Sequence, residues 1–411
     1  RQRQMCIRDR PNIIKYIKKL NNKPSVQRRL LEYFIAQGAS TIPEMSKGIG
    51  VSLPTATNAL NELIKGGLVK EIGKKDNSPG RIPMVYDLMP NAGYFVGVNP
   101  EMNCLALAAC DFCGNLITEK TKVPYEYRNN PENLERLSEI INDFIASLPI
   151  SKEEILQICV NVAERVNPFE GKAYNMFTFL DNPLADKLTE LIQLPVCIEN
   201  DTRSMAFAEF IKGRCKGMKD VIFVNMCWGL GIGIIIDGKL YYGKSGYSGE
   251  FGHMTAYNNN IICHCGKIGC IETEVSGRAL KRKLTENIMA GKPSILSDKV
   301  LNRKEDLSLQ DIMDAITKED VLSLATLQHI ADELGKQLAG IINIFNPEML
   351  VIGGEMSVTG DYLTLPVNMG IKKHSLNVMN EDSQIVTSDL KALAGITGAC
   401  LMARHKILNE D

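Results

Sequence analysis

Three cysteines, Cys263, Cys265 and Cys270, fall within eight residues of a 411-residue chain. Cys-x-Cys-x4-Cys spacing puts three thiolates within reach of one ion. His253, ten residues upstream, offers an imidazole, and three sulfurs with one nitrogen match the tetrahedral set that Zn²⁺ takes in structural sites. His264 is a competing imidazole, although a residue flanked by two ligating cysteines is expected to point away. Gly266 and Gly269 allow a tight turn around an ion. The alternative, free buried cysteines, leaves their crowding unexplained. A closed four-ligand zinc has no open position for water, so this one is expected to be structural.

A second group is Glu199-Asn200-Asp201, directly after a strand at 196–198. Ligand sites in α/β proteins collect at the C-terminal ends of strands. A carboxylate beside a carboxamide can accept and donate several hydrogen bonds, which suits vicinal hydroxyls. Asp201 also reads as an N-cap for a helix at 202–211. A third group lies on a helix expected at 53–65. Its outward face carries Pro54, Thr55, Thr57, Asn58 and Asn61, with Ser52 as N-cap. These groups are mostly short, polar and uncharged, whereas an ordinary solvated face would carry Lys and Glu. They suit base edges and phosphates in a major groove.

The elements around that helix follow from periodicity. Leu30, Leu31, Phe34 and Ile35 mark a helix from Val26 to Gln37, stopped by Gly38. Thr41-Ile-Pro-Glu44 has capping-box spacing and starts a short helix through Ile49. Gly50 makes the turn to 53–65, whose apolar face reads as Leu53, Ala56, Leu60, Leu63 and Ile64, with Gly66-Gly67 as the C-cap signal. Strands at 68–72 and 82–88 then flank a basic tip, with Lys74, Lys75 and Arg81 as further DNA contacts. Three helices and a ribbon are the layout of a winged helix-turn-helix. The alternative is a winged helix used for protein contacts.

The rest reads as two similar halves. Strands 94–99, 104–110 and 115–120 are matched by 221–226, 231–236 and 239–242, the last two joined by Asp237-Gly238 as a hairpin turn. Helix 133–148, strand 155–162, helix 184–193, strand 196–198 and helix 202–211 follow the first triplet. Helix 321–343, strand 349–353, helix 361–373, strand 384–387 and helix 391–408 follow the second. Leu324, Leu327, Ile330, Leu334, Leu338 and Ile341 form a core stripe on the long helix. The expected fold is α/β, an N-terminal winged helix-turn-helix followed by a two-lobed actin-like (ribonuclease-H-like) domain.

GYSGEFGHM at 246–254 followed by CHCGKIGCIE at 263–272 resembles the signature of the ROK (repressor, open reading frame, kinase) family, and Gly80-Arg81-x-Pro83 resembles the wing of its repressors. The resemblance runs from about residue 25 to the C-terminus. It implies His253, Cys263, Cys265 and Cys270 as zinc ligands. It also implies Asn200, Asp201, Glu250, His253 and Glu272 as contacts to a sugar or sugar-phosphate effector, with Asp201 at the position of the general base in kinases. His253 can give one ring nitrogen to zinc and the other to a hydroxyl. Active kinases of the family carry Asp-x-Gly-Gly-Thr after the first strand, where glycine N–H groups hold phosphates. This chain has Asn99-Pro100-Glu101-Met102-Asn103, without that Asp or either Gly, and Pro100 lacks an N–H. Trp228-Gly229-Leu230-Gly231-Ile232-Gly233 keeps its glycines without the Thr, and Gly353-Gly354 survives as a turn. Ala163-Glu164 also stands where relatives have a small residue and Gly. The expected function is a sugar-responsive transcriptional regulator, a repressor of carbohydrate uptake or catabolism, rather than an enzyme. An ATP-dependent hexose kinase and a sugar-dependent protein adaptor are the alternatives.

Composition agrees with these expectations. Hydrophobic residues make up 45% and charged residues 23%, which excludes wholesale disorder. The net charge of −1 hides an asymmetry: residues 1–90 hold 16 Lys+Arg against 7 Asp+Glu, and the remainder 31 against 41. The basic segment suits a polyanion such as an operator duplex. Twelve cysteines without a visible secretory signal fit a reducing cytoplasm. No apolar run approaches a membrane span. The opening decapeptide RQRQMCIRDR lacks periodicity and capping signals and reads as a cloning or adapter scar. The expected domains are an extension at 1–24, the winged helix at 25–90, and the sugar-binding body at 91–411 with its zinc loop at 253–270. Two half-sites per operator favour a homodimer or a dimer of dimers.

Overall fold

Val26–Gln37, Ile42–Ile49 and Leu53–Lys65 are helices in the computed structural model, which describes residues 11–21, 25–74 and 83–408. Ser25 caps the first through the Arg28 N–H, and the Thr41/Glu44 capping box opens the second. Gly50 adopts φ 64°, the left-handed conformation that turns the second helix into the third. Ser52 accepts from Thr55 N to start that third helix. Leu30, Phe34, Met45, Leu60 and Leu63 close a small core. Two residues expected on the apolar face, Leu53 and Ile64, are 51% and 36% exposed. The buried arc is Ala56, Ala59, Leu60 and Leu63, and at 100° per residue positions 53 and 64 fall on its flank.

Ser40–Thr41, Met84–Leu88 and Val69–Lys74 form an antiparallel sheet with Met84–Leu88 in the middle. The ribbon therefore starts and ends within two residues of the expected bounds. Lys75 and Arg81, assigned to its tip, lie outside the described residues. Pro11–Asn21, placed by sequence in an extension, is a helix with Ile13, Ile17 and Leu20 buried. Ile17 and Leu20 line a small gap with Leu31, Ile35 and Leu408.

The chain forms two units, one running through Ser204 and resuming at Gly395, the other Met205–Ala394. The first holds a five-stranded sheet in the order Val196–Asn200, Ile155–Val162, Tyr94–Glu101, Cys104–Asp111, Leu116–Pro124. Its last three strands are an antiparallel meander, and the other two run parallel to Tyr94–Glu101. Parallel neighbours need crossover connections, which Pro131–Ala146 and Leu184–Ile192 supply while burying Leu137, Ile141, Phe144 and Leu188 on one face. Ala394–Leu408 lies on Tyr94–Glu101: a Cβ on Gly97 would come within 2.6 Å of Cys400 N, so glycine permits the approach.

The second unit repeats the plan: Lys239–Leu240, Leu230–Ile236, Val221–Met226, Met349–Gly353, Gln384–Thr387, again a meander followed by two parallel strands. Val321–Phe345 buries Leu327, Ile330, Leu334, Leu338 and Ile341 as expected, with Leu324 at the margin. Gly277–Met289 and Leu309–Thr317 are helices that periodicity did not reveal. The duplicated order is that of the ribonuclease-H-like lobe.

Candidate functional site

In the second unit, Gly266 (φ 82°) and Gly269 (φ 75°) fold 263–270 back on itself, closed by Cys263 N donating to Lys267 O at 2.7 Å. The short helical turn Phe251–His253 sits against the strand from Leu230. The result gathers His253, Cys263, Cys265 and Cys270, one ligand atom from each lying within 4.8 Å of every other. Cys265 Sγ and Cys270 Sγ are 3.7 Å apart, and Cys263 Sγ lies 3.5 Å from His253 Nδ1. A tetrahedral ion with metal–sulfur bonds of ~2.3 Å and metal–nitrogen bonds of ~2.0 Å spaces its donors by about 3.5–3.8 Å, so the donor set fits a metal. Burial pushes the Cys263 thiol up to about 12 and raises Cys270 as well. Thiolates at these positions would need a cation beside them.

His253 Nε2 faces Glu250 Oε2 at 3.7 Å, leaving its two ring nitrogens turned to different neighbours. His264 does not point away. Its Nδ1 is 2.7 Å from Glu272 Oε1 and 3.7 Å from Cys263 Sγ. Glu272 is 6% exposed. Burial alone would raise its carboxyl, but the His264 ring, the Leu230 N–H and Arg278 hold it below the usual carboxylate range. Leu230 N donates to Oε2 at 3.1 Å, and Arg278 Nη1 donates to Oε1 at 3.2 Å. Arg278 escaped sequence reading because no motif includes it. Its only local signal is the Ser276 cap, which starts helix Gly277–Met289 just after the cysteine loop.

In the first unit, Val196–Asn200 ends where Asp201–Ile211 begins. The helix cap is Asn200, not Asp201: Asn200 Oδ1 accepts from Arg203 N at 3.0 Å, and its Nδ2 reaches Glu164 O at 3.3 Å. Both bonds accepted by Asp201 end on Oδ1, from Thr202 N and Thr202 Oγ1. Burial, with a contribution from Glu164, pushes the Asp201 carboxyl up to about 6. Glu199 turns inward, fully buried, and accepts from Arg203 Nε at 2.8 Å. The Glu164 carboxylate accepts from Asn175 Nδ2 at 3.1 Å.

The segment expected to replace a phosphate loop continues its strand: Asn99 pairs with Ala106, Pro100 with Leu105 and Glu101 with Cys104. Asn99 is buried, and its Oδ1 accepts from Asn161 Nδ2 at 2.9 Å. In the second unit, Gly353 and Gly354 have packing reasons for lacking a Cβ. One would meet the Phe223 ring and the other the Met226 carbonyl, at 2.3 and 2.4 Å.

On Leu53–Lys65, Ser52, Thr55, Asn58 and Asn61 are exposed, while Thr57 is half-buried and donates back to Leu53 O at 2.8 Å. Lys74 is exposed at the end of its strand.

The ROK family model matches residues 81–406. The xylose repressor of Bacillus subtilis (strain 168) is 29% identical over 339 residues, 82% of each chain. A glucokinase of Halalkalibacterium halodurans is 28% identical over 317 residues, covering 76% of this chain and 96% of its own. The crystal structure of a ROK family transcriptional regulator, a homologue of the Escherichia coli MLC protein, superposes with a TM-score of 0.77 at 25% identity, over 98% of both chains.

Proposed function

Because the chain belongs to the ROK family, we propose that it is a sugar-responsive transcriptional regulator, a repressor of carbohydrate uptake or catabolism. The observation that carries this reading is the three-helix and ribbon segment ahead of the ROK fold. The regulator structure spans it with 98% coverage, whereas the glucokinase covers 76% of the chain. In this reading residues 25–90 bind operator DNA and 91–411 bind the effector. Ser52, Thr55, Thr57, Asn58 and Asn61 address the major groove, and Lys74, Lys75 and Arg81 contact the backbone and minor groove. Among the described residues no helix is long and apolar enough to cross a membrane, and the reading places the protein in the cytoplasm as a homodimer or dimer of dimers.

Asn200, Asp201, Glu250, His253 and Glu272 are assigned to a sugar or sugar-phosphate effector. Asn200 makes its contact with the amide that also caps its helix, so effector binding and helix start share one side chain. Zn²⁺ is assigned to His253, Cys263, Cys265 and Cys270. Bound by these four side chains, it would cross-link the loop and leave no position for a catalytic water. The chain's own groups do the rest: carboxylates accept sugar hydroxyls, and the effector shifts DNA affinity by binding the DNA-competent and incompetent states unequally.

The kinase reading draws on Asp201, whose raised carboxyl would serve a general base. Against it stands the 99–103 segment, where Pro100 lacks an N–H and Glu101 adds negative charge. Selection from random duplex DNA, paired with a coupled ATP assay over a sugar panel, separates the two. A selected operator without phosphorylation supports the regulator. Phosphorylation without duplex selection supports the kinase.

A further inference from the structure

The expected effector carboxylate Glu272 is nearly enclosed, yet it is held by three donors from three segments: the Leu230 N–H, the His264 ring and the Arg278 guanidinium. Two of them converge on one oxygen. His264 Nδ1 and Arg278 Nη1 both approach Oε1, at 2.7 and 3.2 Å, while Oε2 receives only the Leu230 N–H. A carboxylate offers about four lone-pair positions; Oε1 faces two nitrogens and, at 4.0 Å, Cys263 Sγ, whereas Oε2 has the Leu230 N–H and one position left. The terminal torsion of a glutamate is broad and poorly fixed by its own rotamers. A single donor on Oε2 would leave the group free to swing, and two donors on Oε1 fix its plane.

We propose that His264 and Arg278 are positioning residues for the effector, fixing Oε1 of Glu272 so that Oε2 presents one acceptor position to a sugar hydroxyl. This rests on the reading of Glu272 as an effector contact. His264 is well placed for the task because it sits between two candidate metal ligands. The turn through Gly266 that brings Cys263 and Cys265 to the cluster also sets the direction of the imidazole. Arg278 Nη1 lies 3.2 Å from the same Nδ1, so the imidazole, the guanidinium and Oε1 form one tight cluster. Arg278 stands at the first turn of Gly277–Met289, whose own start is tied to Cys227 O by Gly277 N at 2.8 Å. Glu272 is thereby aimed from the loop on one side and the helix on the other, which connects an ordered metal loop to effector affinity without any contact between metal and sugar.

The test uses the full chain with His264→Ala, His264→Asn, Arg278→Met and Glu272→Gln. The readouts are metal content, the visible spectrum of the cobalt-substituted protein, and calorimetry with D-xylose, D-glucose and N-acetyl-D-glucosamine and their phosphates in turn. His264→Ala should keep its metal and its cobalt spectrum while losing about 10- to 100-fold in sugar affinity. His264→Asn should recover most of that loss, because the Asn Nδ2 can stand where the imidazole Nδ1 stood. Arg278→Met should lose several-fold. Loss of metal or a changed cobalt spectrum in His264→Ala would make His264 a ligand and overturn the proposal. Wild-type affinity in His264→Ala alongside weak binding in Glu272→Gln would overturn it while sparing the effector reading. Wild-type affinity in Glu272→Gln, or a wild type that binds none of the three sugars and none of their phosphates, would overturn both.

Discussion

Replacing Asp201 by Asn should make the first unit more stable and its effector binding weaker. The carboxyl sits at about 6 against an ordinary 3.8, chiefly because burial penalises its charge. That difference corresponds to about 3 kcal/mol, an upper bound for a side chain that keeps some solvent contact. The folded state takes the proton more readily than the unfolded one. Wild-type stability is therefore highest below the unfolded value, falls as pH rises from 3.8 to about 6, and stays lowered above that. Asp201→Asn keeps the acceptor for Thr202 N, which bonds Oδ1 at 2.7 Å, and removes the titration. Its advantage should approach ~3 kcal/mol near pH 8 and shrink to ~0.5 kcal/mol near pH 4. The single tryptophan, Trp228, lies in the other unit. Hydrogen exchange over 196–211, corrected for intrinsic rates, is thus the appropriate assay. Equal protection of the two proteins near pH 8, or a gain that persists undiminished near pH 4, would refute the reasoning. Exchange of a charged for a neutral acceptor should also weaken sugar binding by about 10- to 100-fold.

Metal analysis of carefully reduced protein should find about one zinc per chain, and Cys265→Ser should lose it; a stoichiometry near zero in the wild type would remove the zinc assignment. Asn58→Ala should relax base preference in a selection from random duplexes, whereas Lys74→Ala should weaken all sequences alike and lower the salt slope by about one. An unchanged preferred operator in Asn58→Ala would move base reading off this helix. Gly354→Ala should destabilise the second unit by ~2 kcal/mol or more in urea titrations followed by Trp228 emission. A Cβ there meets Met226 O at 2.4 Å, and φ is +83°. Wild-type stability would show that the turn relaxes freely.

Much of the fold could be read from the chain because its strands are bounded by turn residues and its longer helices by caps. Asp237-Gly238, both at positive φ, made the second meander legible, and the Leu327-to-Ile341 stripe defined the longest helix. Gly277–Met289 was missed because charged residues interrupt an apolar stripe reduced to Leu280, Leu284 and Ile288. Pro11–Asn21 was missed because it offers only three buried apolar residues and needs helix Val26–Gln37 and Leu408 to bury them. Leu53 and Ile64 were misplaced because spacing identifies a stripe better than its edges. The gathering of His253, Cys263, Cys265 and Cys270 was legible in residue type and spacing. The direction of His264 was not, since a place between two cysteines says nothing of the acceptor that Glu272 provides. The cap at Asn200 was missed for a related reason: either of two adjacent side chains can cap, and only the strand end decides which one reaches Arg203 N.

The central claim is that one chain reads duplex DNA and changes that reading when a sugar binds. Fluorescence anisotropy of a labelled, selected duplex measures it directly, titrated with the full-length protein in the absence and presence of D-xylose, D-glucose and N-acetyl-D-glucosamine and their phosphates. At least one of these ligands should shift operator affinity by tenfold or more in the wild type, and the same ligand should leave Asp201→Asn nearly unshifted while its sugar-free affinity stays within a few-fold. A protein that selects no duplex, or one whose operator affinity no sugar or sugar phosphate changes while it phosphorylates a sugar with ATP, would contradict the account.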